Sequence, residues 1–369
     1  MPSTDGLSNW LEIDLDAIAG NLRAVEAQAG VPVMAVVKAN GYGHGLVEVA
    51  RTAVEAGAIY CGIARLDEAL ELREAGIEAP LMVLGDTPVV RFGQAAAAGV
   101  TLTAFRQEHV AALSELPTDR TVKVHLKVDT GMTRLGAAPS EAIALLRQLA
   151  SLNQVDLEGL FTHYARADEP DEDITTNQEA IFDDLVAEAA ILGLRPRLVH
   201  AANSAAALVR PSSAYDMVRP GIALYGLNPA SNVRLPPAFR AALTWRASLT
   251  QVRQVPAGTG ISYGHVYVTP IDARLGVVPV GYGDGYRRED GNQVLVHGQR
   301  VPVRGRVCMD QLVVDLTDLP EANVGDRATL IGEDQGEQIS VEDLAAGWGT
   351  INYEVVCGLS ARVPRLYHA

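Results

Sequence analysis

The chain has 369 residues, 48% hydrophobic and 20% charged, a globular composition that excludes wholesale disorder. Acidic residues outnumber basic ones 45 to 30, for a net charge of −15, and a surface of that sign repels phosphate backbones, so nucleic-acid binding is disfavoured. Three distant cysteines (Cys61, Cys308, Cys357), no apolar run near the ~18 residues of a membrane span and no signal-peptide pattern at MPSTDGLSNW predict a cytoplasmic enzyme without membrane association.

Along the chain, Asp14 is placed to cap a helix whose Leu15, Ile18, Leu22 and Val25 share one face. Short apolar runs read as buried strands at Val33–Val37, Ile59–Ala64, Leu81–Leu84, Val100–Ala104, Val122–Val128, Leu157–Thr162, Leu198–His200 and Met217–Leu224. Helical-period segments separate them. Thr175 and Gln178 have capping-box spacing, and Gly193 is placed to end that helix. About eight strand–helix repeats in this span predict an α/β fold, a (β/α)8 TIM-like barrel, over residues 12–238. The eighth run is the weakest, because Pro220 and Gly221 interrupt it.

The pattern changes near the Pro-rich RLPPAFR segment. Leu243, Trp245, Ala247 and Leu249 alternate with polar residues. Val294–Val296 and Val301–Val303 read as a hairpin, Val313–Leu316 and Arg327–Ile331 as strands, and Val341–Ala346 and Ile351–Cys357 as short helices. A mostly antiparallel C-terminal β-domain is therefore expected over residues 239–369. Residues 1–11, with the alternating Trp10–Ile13, are candidates to add a strand to it.

Barrel enzymes carry their sites at the C-terminal ends of the strands. The first strand ends in AVVKANGYGHG, so Lys38 sits where a buried strand runs out into a Gly-rich turn. Desolvation there suits an amine to Schiff-base chemistry, and a rim lysine in a salt bridge is an equal reading from position alone. Later strand ends carry Lys127, Asp129 and Arg134, then His163, then His200, Asn203 and Ser204, then Arg219. Cationic and hydrogen-bonding groups at four further ends favour an anionic, planar ligand bearing a phosphate, with Ser204 and the amides of Gly221 and Ile222 as a phosphate nest. No metal-ligand spacing is present, so no metal is expected. Met34, Met82 and Met217 are expected in the core, Cys308 as a packed thiol, and His109, His297 and His368 at the surface.

AVVKANGYGHG, KVDTGMTRLG, HAANSAA, VRPGIALYG, ISYGH, GYGDG, GRVCMDQ and INYEVV occur in one order along nearly the whole chain. Together they resemble the fold-type III enzymes that use pyridoxal 5'-phosphate (PLP), and within them the alanine racemases. The resemblance implies interconversion of L- and D-alanine by two-base proton transfer on a PLP external aldimine, with D-alanine serving as a peptidoglycan precursor. It implies that Lys38 holds PLP, that Arg219 contacts the pyridine nitrogen, and that Tyr42, Ser204, Gly221, Ile222 and Tyr353 hold the phosphate. Arg134 matches the residue that orients the substrate carboxylate. Lys127 matches a lysine that is often carbamylated and pairs with that arginine. Tyr263 matches the second base, Tyr282 a residue near the entrance, and Met309 and Asp310, beside Cys308, a segment that reaches the neighbouring subunit's site in a homodimer. No position departs from the family pattern.

The chemistry is consistent on its own terms. Racemisation needs a base on each face of Cα, here Lys38 and Tyr263. A phenol serves as a base only with positive charge nearby, which the resemblance supplies through His163 and Arg219. An arginine at the pyridine nitrogen donates only, leaving that nitrogen unprotonated and the ring a weaker electron sink than with a carboxylate partner. The rival expectations are a serine or broad-specificity racemase, a fold-type III decarboxylase and a PLP carrier. Arg219 and ISYGH argue against the second, and residues 239–369 against the third.

Overall fold

The computed structural model describes residues 4–117, 121–169, 172–210 and 214–369. It divides into two compact units, one of residues 17–240 and one of residues 1–16 with 241–369. The strand β1 (Asn9–Asp14) belongs to the second unit, and α1 (Leu15–Ala29) leads into the first.

In the first unit seven parallel strands pair in sequence order: β2 (Met34–Val36), β3 (Tyr60–Ile63), β4 (Leu81–Val83), β5 (Val100–Ala104), β6 (Val122–Lys127), β7 (Val155–Phe161) and β8 (Leu198–His200). Between them run α2 (Lys38–Tyr42), α3 (Leu46–Glu55), α4 (Leu66–Glu74), α5 (Phe92–Ala97), α6 (Gln107–Ser114), α7 (Pro139–Ala150) and α8 (Glu172–Ile191), and α9 (Ser204–Val209) follows β8. Strands β2 to β5 are buried along their whole length, as expected for strands covered on both faces.

The expected eighth strand, Met217–Leu224, is not a regular strand. Residues 216–220 occupy its place, with a single parallel bridge between Val33 and Val218. The backbone still bonds both neighbours: Asp216 N donates to Val199 O (2.9 Å), Met34 N to Val218 O (2.8 Å) and Val36 N to Pro220 O (3.0 Å). Pro220 has no N–H to continue a ladder, and from Ile222 to Tyr225 the chain turns into a 3₁₀ helix. Asn21 of α1 fastens this end, donating to Leu224 O and Arg240 O (2.9 Å each).

Two sequence expectations change. Thr175 does not cap α8, which begins at Glu172 and includes it. Gln178 instead serves the strand ends, accepting from Ala165 N (2.9 Å) and donating to His163 O (3.0 Å). His109 is fully buried between the rings of Phe92 and Phe105, with Nε2 3.0 Å from Asp86.

In the second unit the strands after α9 are β9 (Leu243–Ser248), β10 (Gln251–Val255), β11 (Gly260–Ile261), β12 (Tyr267–Val268), β13 (Ala273–Val278), β14 (Gln293–Val296), β15 (Gln299–Pro302), β16 (Leu312–Asp315), β17 (Arg327–Asp334), β18 (Glu337–Ile339) and β19 (Arg365–His368). The helices α10 (Val341–Gly347) and α11 (Asn352–Cys357) lie between β18 and β19. The main sheet runs β15-β14-β17-β9-β1-β19 with β18 on β17, and every pair is antiparallel except β1 with β19. Strand β9 alternates buried and half-buried residues, as its sequence predicts. The N-terminal strand is locked by Glu12, whose carboxylate accepts from Trp10 Nε1 and Arg246 Nε (2.9 Å each). The β14–β15 hairpin turns through His297 (φ 49°) and Gly298 (φ 72°), the left-handed pair that a two-residue hairpin needs.

Met34, Tyr60, Met82, Phe161 and Met217 form one buried cluster in the barrel. Met82→Ala is expected to lower stability by about 2–5 kcal/mol through the cavity it leaves, read as a fall in the urea midpoint with an unchanged slope.

Candidate active site

At the end of β2 the chain makes a left-handed turn. Ala39 (φ 55°), Asn40 (φ 55°), Gly41 (φ 59°) and Tyr42 (φ 50°) all lie in the left-handed region. Each non-glycine residue there costs roughly 1–2 kcal/mol, so the turn persists only because its surroundings over-determine it. Glu68, at the start of α4, braces it: Oε1 accepts from Ala39 N (2.7 Å) and Oε2 from Ala64 N (2.8 Å). Asn40 Oδ1 accepts from Leu46 N (2.9 Å), and Gly41 packs against Val49, where a Cβ would sit 3.1 Å from a methyl. Lys38, the first residue of the turn, is thereby fixed at the strand end.

The turn brings Tyr42 to Gly221. A Cβ on Gly221 would lie 2.3 Å from the Tyr42 hydroxyl. Ser204 Oγ accepts from Gly221 N (2.9 Å) and Ala223 N (3.3 Å), and Asn203 caps α9 through Ala206 N (3.1 Å). Tyr42 stacks on Tyr225, with ring centroids 5.0 Å apart. Tyr42, Ser204 and Gly221, expected from the sequence, thus meet in one place, with Ile222 the next residue in the chain, and a side chain at 221 would have to displace the Tyr42 ring.

Arg219 lies deep in the unit, 4% exposed. Its guanidinium donates to Thr162 O (2.8 Å), Ala201 O (2.9 Å) and His200 Nδ1 (2.7 Å), and reaches His163 Nδ1 at 3.2 Å. Burial, then the charge of Arg219, holds His163 and His200 well below the usual imidazole range, so both rings are neutral and His163 does not supply the positive charge expected of it.

Lys127, buried at the end of β6, has its Nζ 4.5 Å above the ring of Phe161. Burial, then Arg219, Arg134 and Lys38, outweighs Asp129 and lowers its pKa to about 7. Arg134 is exposed on the loop after β6. Asp129 Oδ1 organises that loop by accepting from Gly131 N (3.0 Å) and Thr133 N (2.9 Å).

The charges of Lys38, Arg134 and Arg219 thus all bear on Lys127, and all four bear on His163, in a chain whose net charge is −15. Such a concentration of cations at the strand ends calls for an anionic ligand carrying more than one charge.

The remaining predicted residues lie in the other unit. Tyr263 is 69% exposed in a short 3₁₀ turn entered through Ser262 (φ 58°). Ser262 Oγ donates to Arg306 O and lies 3.3 Å from Cys308 Sγ. Tyr282 N and Gly283 N donate to the carbonyls of Cys308 (3.0 Å) and Met309 (2.8 Å), so Tyr263, Tyr282 and Met309 share one exposed region. Sequence reasoning missed Arg362, which joins buried Asp284 (2.7 Å), Asp310 (2.8 Å) and Met309 O (3.4 Å). Tyr353 is half-buried on α11. Glu68 was also missed; its only sequence signal is a carboxylate three residues into the helix after β3.

A parallel barrel with a lysine at the end of its first strand, an arginine among neutral histidines and a hydroxyl set against backbone amides is the arrangement expected of a barrel-type PLP enzyme. Residues 13–229 match the model of the alanine racemase N-terminal domain, and residues 242–367 that of the C-terminal domain. The chain is 45% identical over 364 residues to an alanine racemase of Desulfovibrio desulfuricans, covering 97% of both chains. It is 46% identical over 372 residues to one of Symbiobacterium thermophilum, covering 98% of both. The crystal structure of alanine racemase from Bacillus anthracis with bound L-Ala-P superposes with a TM-score of 0.92 at 40% identity, covering 98% of this chain and 95% of that one. The chain belongs to the alanine racemase family, PLP-dependent isomerases that interconvert the enantiomers of alanine. The substrate is accordingly a small molecule, and among the described residues no helix is long and apolar enough to cross a membrane.

The residues present fit that cofactor, through the four cations and the glycine cradle beside Tyr42. Gly221→Ala should push the Tyr42 ring aside and raise the dissociation constant for PLP by about tenfold or more, measured by absorbance titration of the stripped protein.

Lys127 makes a second prediction. Its folded pKa of about 7 lies below the ordinary 10.5, so between these values the unfolded chain binds the extra proton. The stability of the unmodified, cofactor-free protein should therefore rise with pH across that window. Urea midpoints at several pH values should show this slope, and Lys127→Met should abolish it.

Proposed function

We propose that the alanine racemase reaction is carried by Lys38 and Tyr263 as bases on opposite faces of the substrate Cα, in a site shared between two copies of the chain. The observation that carries this reading is the cationic cluster around Lys38, which suits a phosphate together with a substrate carboxylate. When bound, PLP supplies the electron-withdrawing ring that makes the Cα–H acidic.

The chain's own groups do the rest. Lys38 Nζ would hold the cofactor, and its free amine would take or return the Cα proton on one face. The phenol oxygen of Tyr263 does the same on the other. Tyr42, Ser204, Gly221, Ile222 and Tyr353 bind the phosphate. Arg219, which can only donate, would face the ring nitrogen and leave it unprotonated, making the bound cofactor a weaker electron sink. Arg134 and the Met309 amide orient the substrate carboxylate. Lys127, whose depressed pKa leaves part of its amine neutral at physiological pH, is suited to take up CO2: its nitrogen bonds to the carbon, a proton leaves to solvent, and the carbamate pairs with Arg134. The ring of Tyr353 narrows the pocket to a methyl side chain.

Homodimer formation explains why Tyr263, Tyr282 and Met309 are exposed within their unit, at 69%, 47% and 53%. In a head-to-tail pair they would meet the barrel mouth of the second copy and complete its site. None of the cysteines is in a disulfide, which suits a cytoplasmic location.

Mixing subunits tests the shared site. Lys38→Ala should lose covalent PLP, and Tyr263→Phe should keep it while losing racemisation. Random exchange between the two inactive variants makes half the dimers mixed, each with one intact site, so about a quarter of wild-type activity should return. Exchange verified by mass without recovery overturns the shared site. D-alanine deuterated at Cα, formed from L-alanine in deuterated water, reports the reaction.

A further inference from the structure

The barrel interior holds a file of buried polar side chains that the roles above do not use. From Arg219 it runs to His200, whose Nδ1 is 2.7 Å from the guanidinium. His200 Nε2 lies 2.8 Å from His125 Nδ1, and His125 Nε2 lies 3.1 Å from Glu158 Oε2. Both imidazoles are fully buried, and Glu158 is 2% exposed. Glu158 also accepts from the Tyr60 hydroxyl, Lys123 Nζ (3.1 Å) and Arg197.

Arginine chemistry orients this file. A guanidinium only donates, so His200 Nδ1 accepts and its proton sits on Nε2. That proton faces His125 Nδ1, which accepts in turn, and the His125 proton also sits on Nε2. It is donated to Glu158, so every bond points from Arg219 towards the carboxylate. Protonating either ring would break the file. An imidazolium at His200 would set N–H against N–H at Arg219. An imidazolium at His125 would force the His200 proton onto Nδ1, with the same result.

Two further observations agree with this. Gly159 leaves the space that the His125 ring fills, since a Cβ there would lie 2.2 Å from Nδ1. Burial, above all, keeps both rings below the usual imidazole range. Burial would raise Glu158, but its bonds from His125, Tyr60 and Lys123 hold it at about 2.

We propose that Glu158 is the remote counter-charge of Arg219 and a positioning residue for it, acting through two histidines locked as Nε2–H tautomers. Four hydrogen-bond partners of Arg219, two carbonyls and two imidazoles, are neutral, so the carboxylate acts by polarising the aligned imidazoles, which turn a lone pair to the guanidinium without a carboxylate near the cofactor ring. This rests on the reading that Arg219 faces the ring nitrogen.

The test combines tautomer spectroscopy with kinetics. Solid-state 15N spectra of histidine-labelled holoenzyme, assigned with His125→Gln and His200→Gln, should show both rings as neutral Nε2–H tautomers. Glu158→Gln keeps an acceptor but removes the charge. It should keep both tautomers and bound PLP, lower kcat about tenfold or more and change KM less than about twofold. Glu158→Asp should recover part of kcat. An Nδ1–H tautomer or an imidazolium at either ring of the wild type overturns the file's polarity, and needs no variant to fold. Normal kcat in Glu158→Gln overturns the counter-charge role. Failure of the underlying cofactor reading shows separately, as a PLP absorption spectrum unchanged by Arg219→Glu while the wild-type tautomers are as expected.

Discussion

Like charges crowded in one place dominate the barrel unit. Lys127 and Arg219 are buried at the strand ends, stripped of the water that would screen their repulsion, and the charges of half-buried Lys38 and exposed Arg134 add to it. The neighbourhood answers by staying neutral. His163 and His200 give up their protons, Lys127 is held near the point of losing its own, and Arg219 spreads its donors over carbonyls and imidazoles. The arrangement is costly to the empty protein and favourable to an anionic guest, so binding and stability draw on one electrostatic imbalance.

Much of this was legible in the sequence, because parallel strands buried on both faces leave apolar runs whose ends are easy to find. Lys38 stood out as a cation where such a run stops, and the hairpin as a turn at His297–Gln299 between two β-rich runs, of which Gln299 proves to start the second strand. The roles of Tyr263, Met309 and Tyr353 came from resemblance, since nothing in local spacing ties an exposed tyrosine to a distant lysine. What sequence missed was set by tertiary contacts. The break at Pro220 was visible in the sequence, but not that the Pro220 carbonyl still closes the ring through Val36. Gln178 looked like half of a capping box and was taken by His163 and Ala165. His109 looked like a surface residue and was enclosed by two phenylalanines. Glu158 did leave a trace, a charge inside a run otherwise read as buried strand, but its partners come from other strands.

The two units solve the problem of polar groups in opposite ways. The barrel buries them in a file of matched donors and acceptors. The sheet unit keeps Tyr263, Tyr282 and Met309 at its surface and secures only the backbone behind them, through Asp284, Arg362 and the carbonyls of Cys308 and Met309. Rigid backbone beneath exposed side chains suits a surface that must present groups in a fixed geometry.

The left-handed turn after Lys38 has a consequence for the order of assembly. With three non-glycine residues in a region each pays to enter, it has no stability of its own in a nascent chain. The carboxylate that braces it comes from Glu68, and the valine that packs on it from α3, so β3 and α4 must be in place before the turn can hold. Until then the Lys38 amine is an ordinary solvated lysine, no more attractive to an aldehyde than the rest of the chain's lysines. On the role proposed for Lys38, capture of the cofactor would wait until the first quarter of the barrel has folded, and an incomplete chain would be spared a premature adduct.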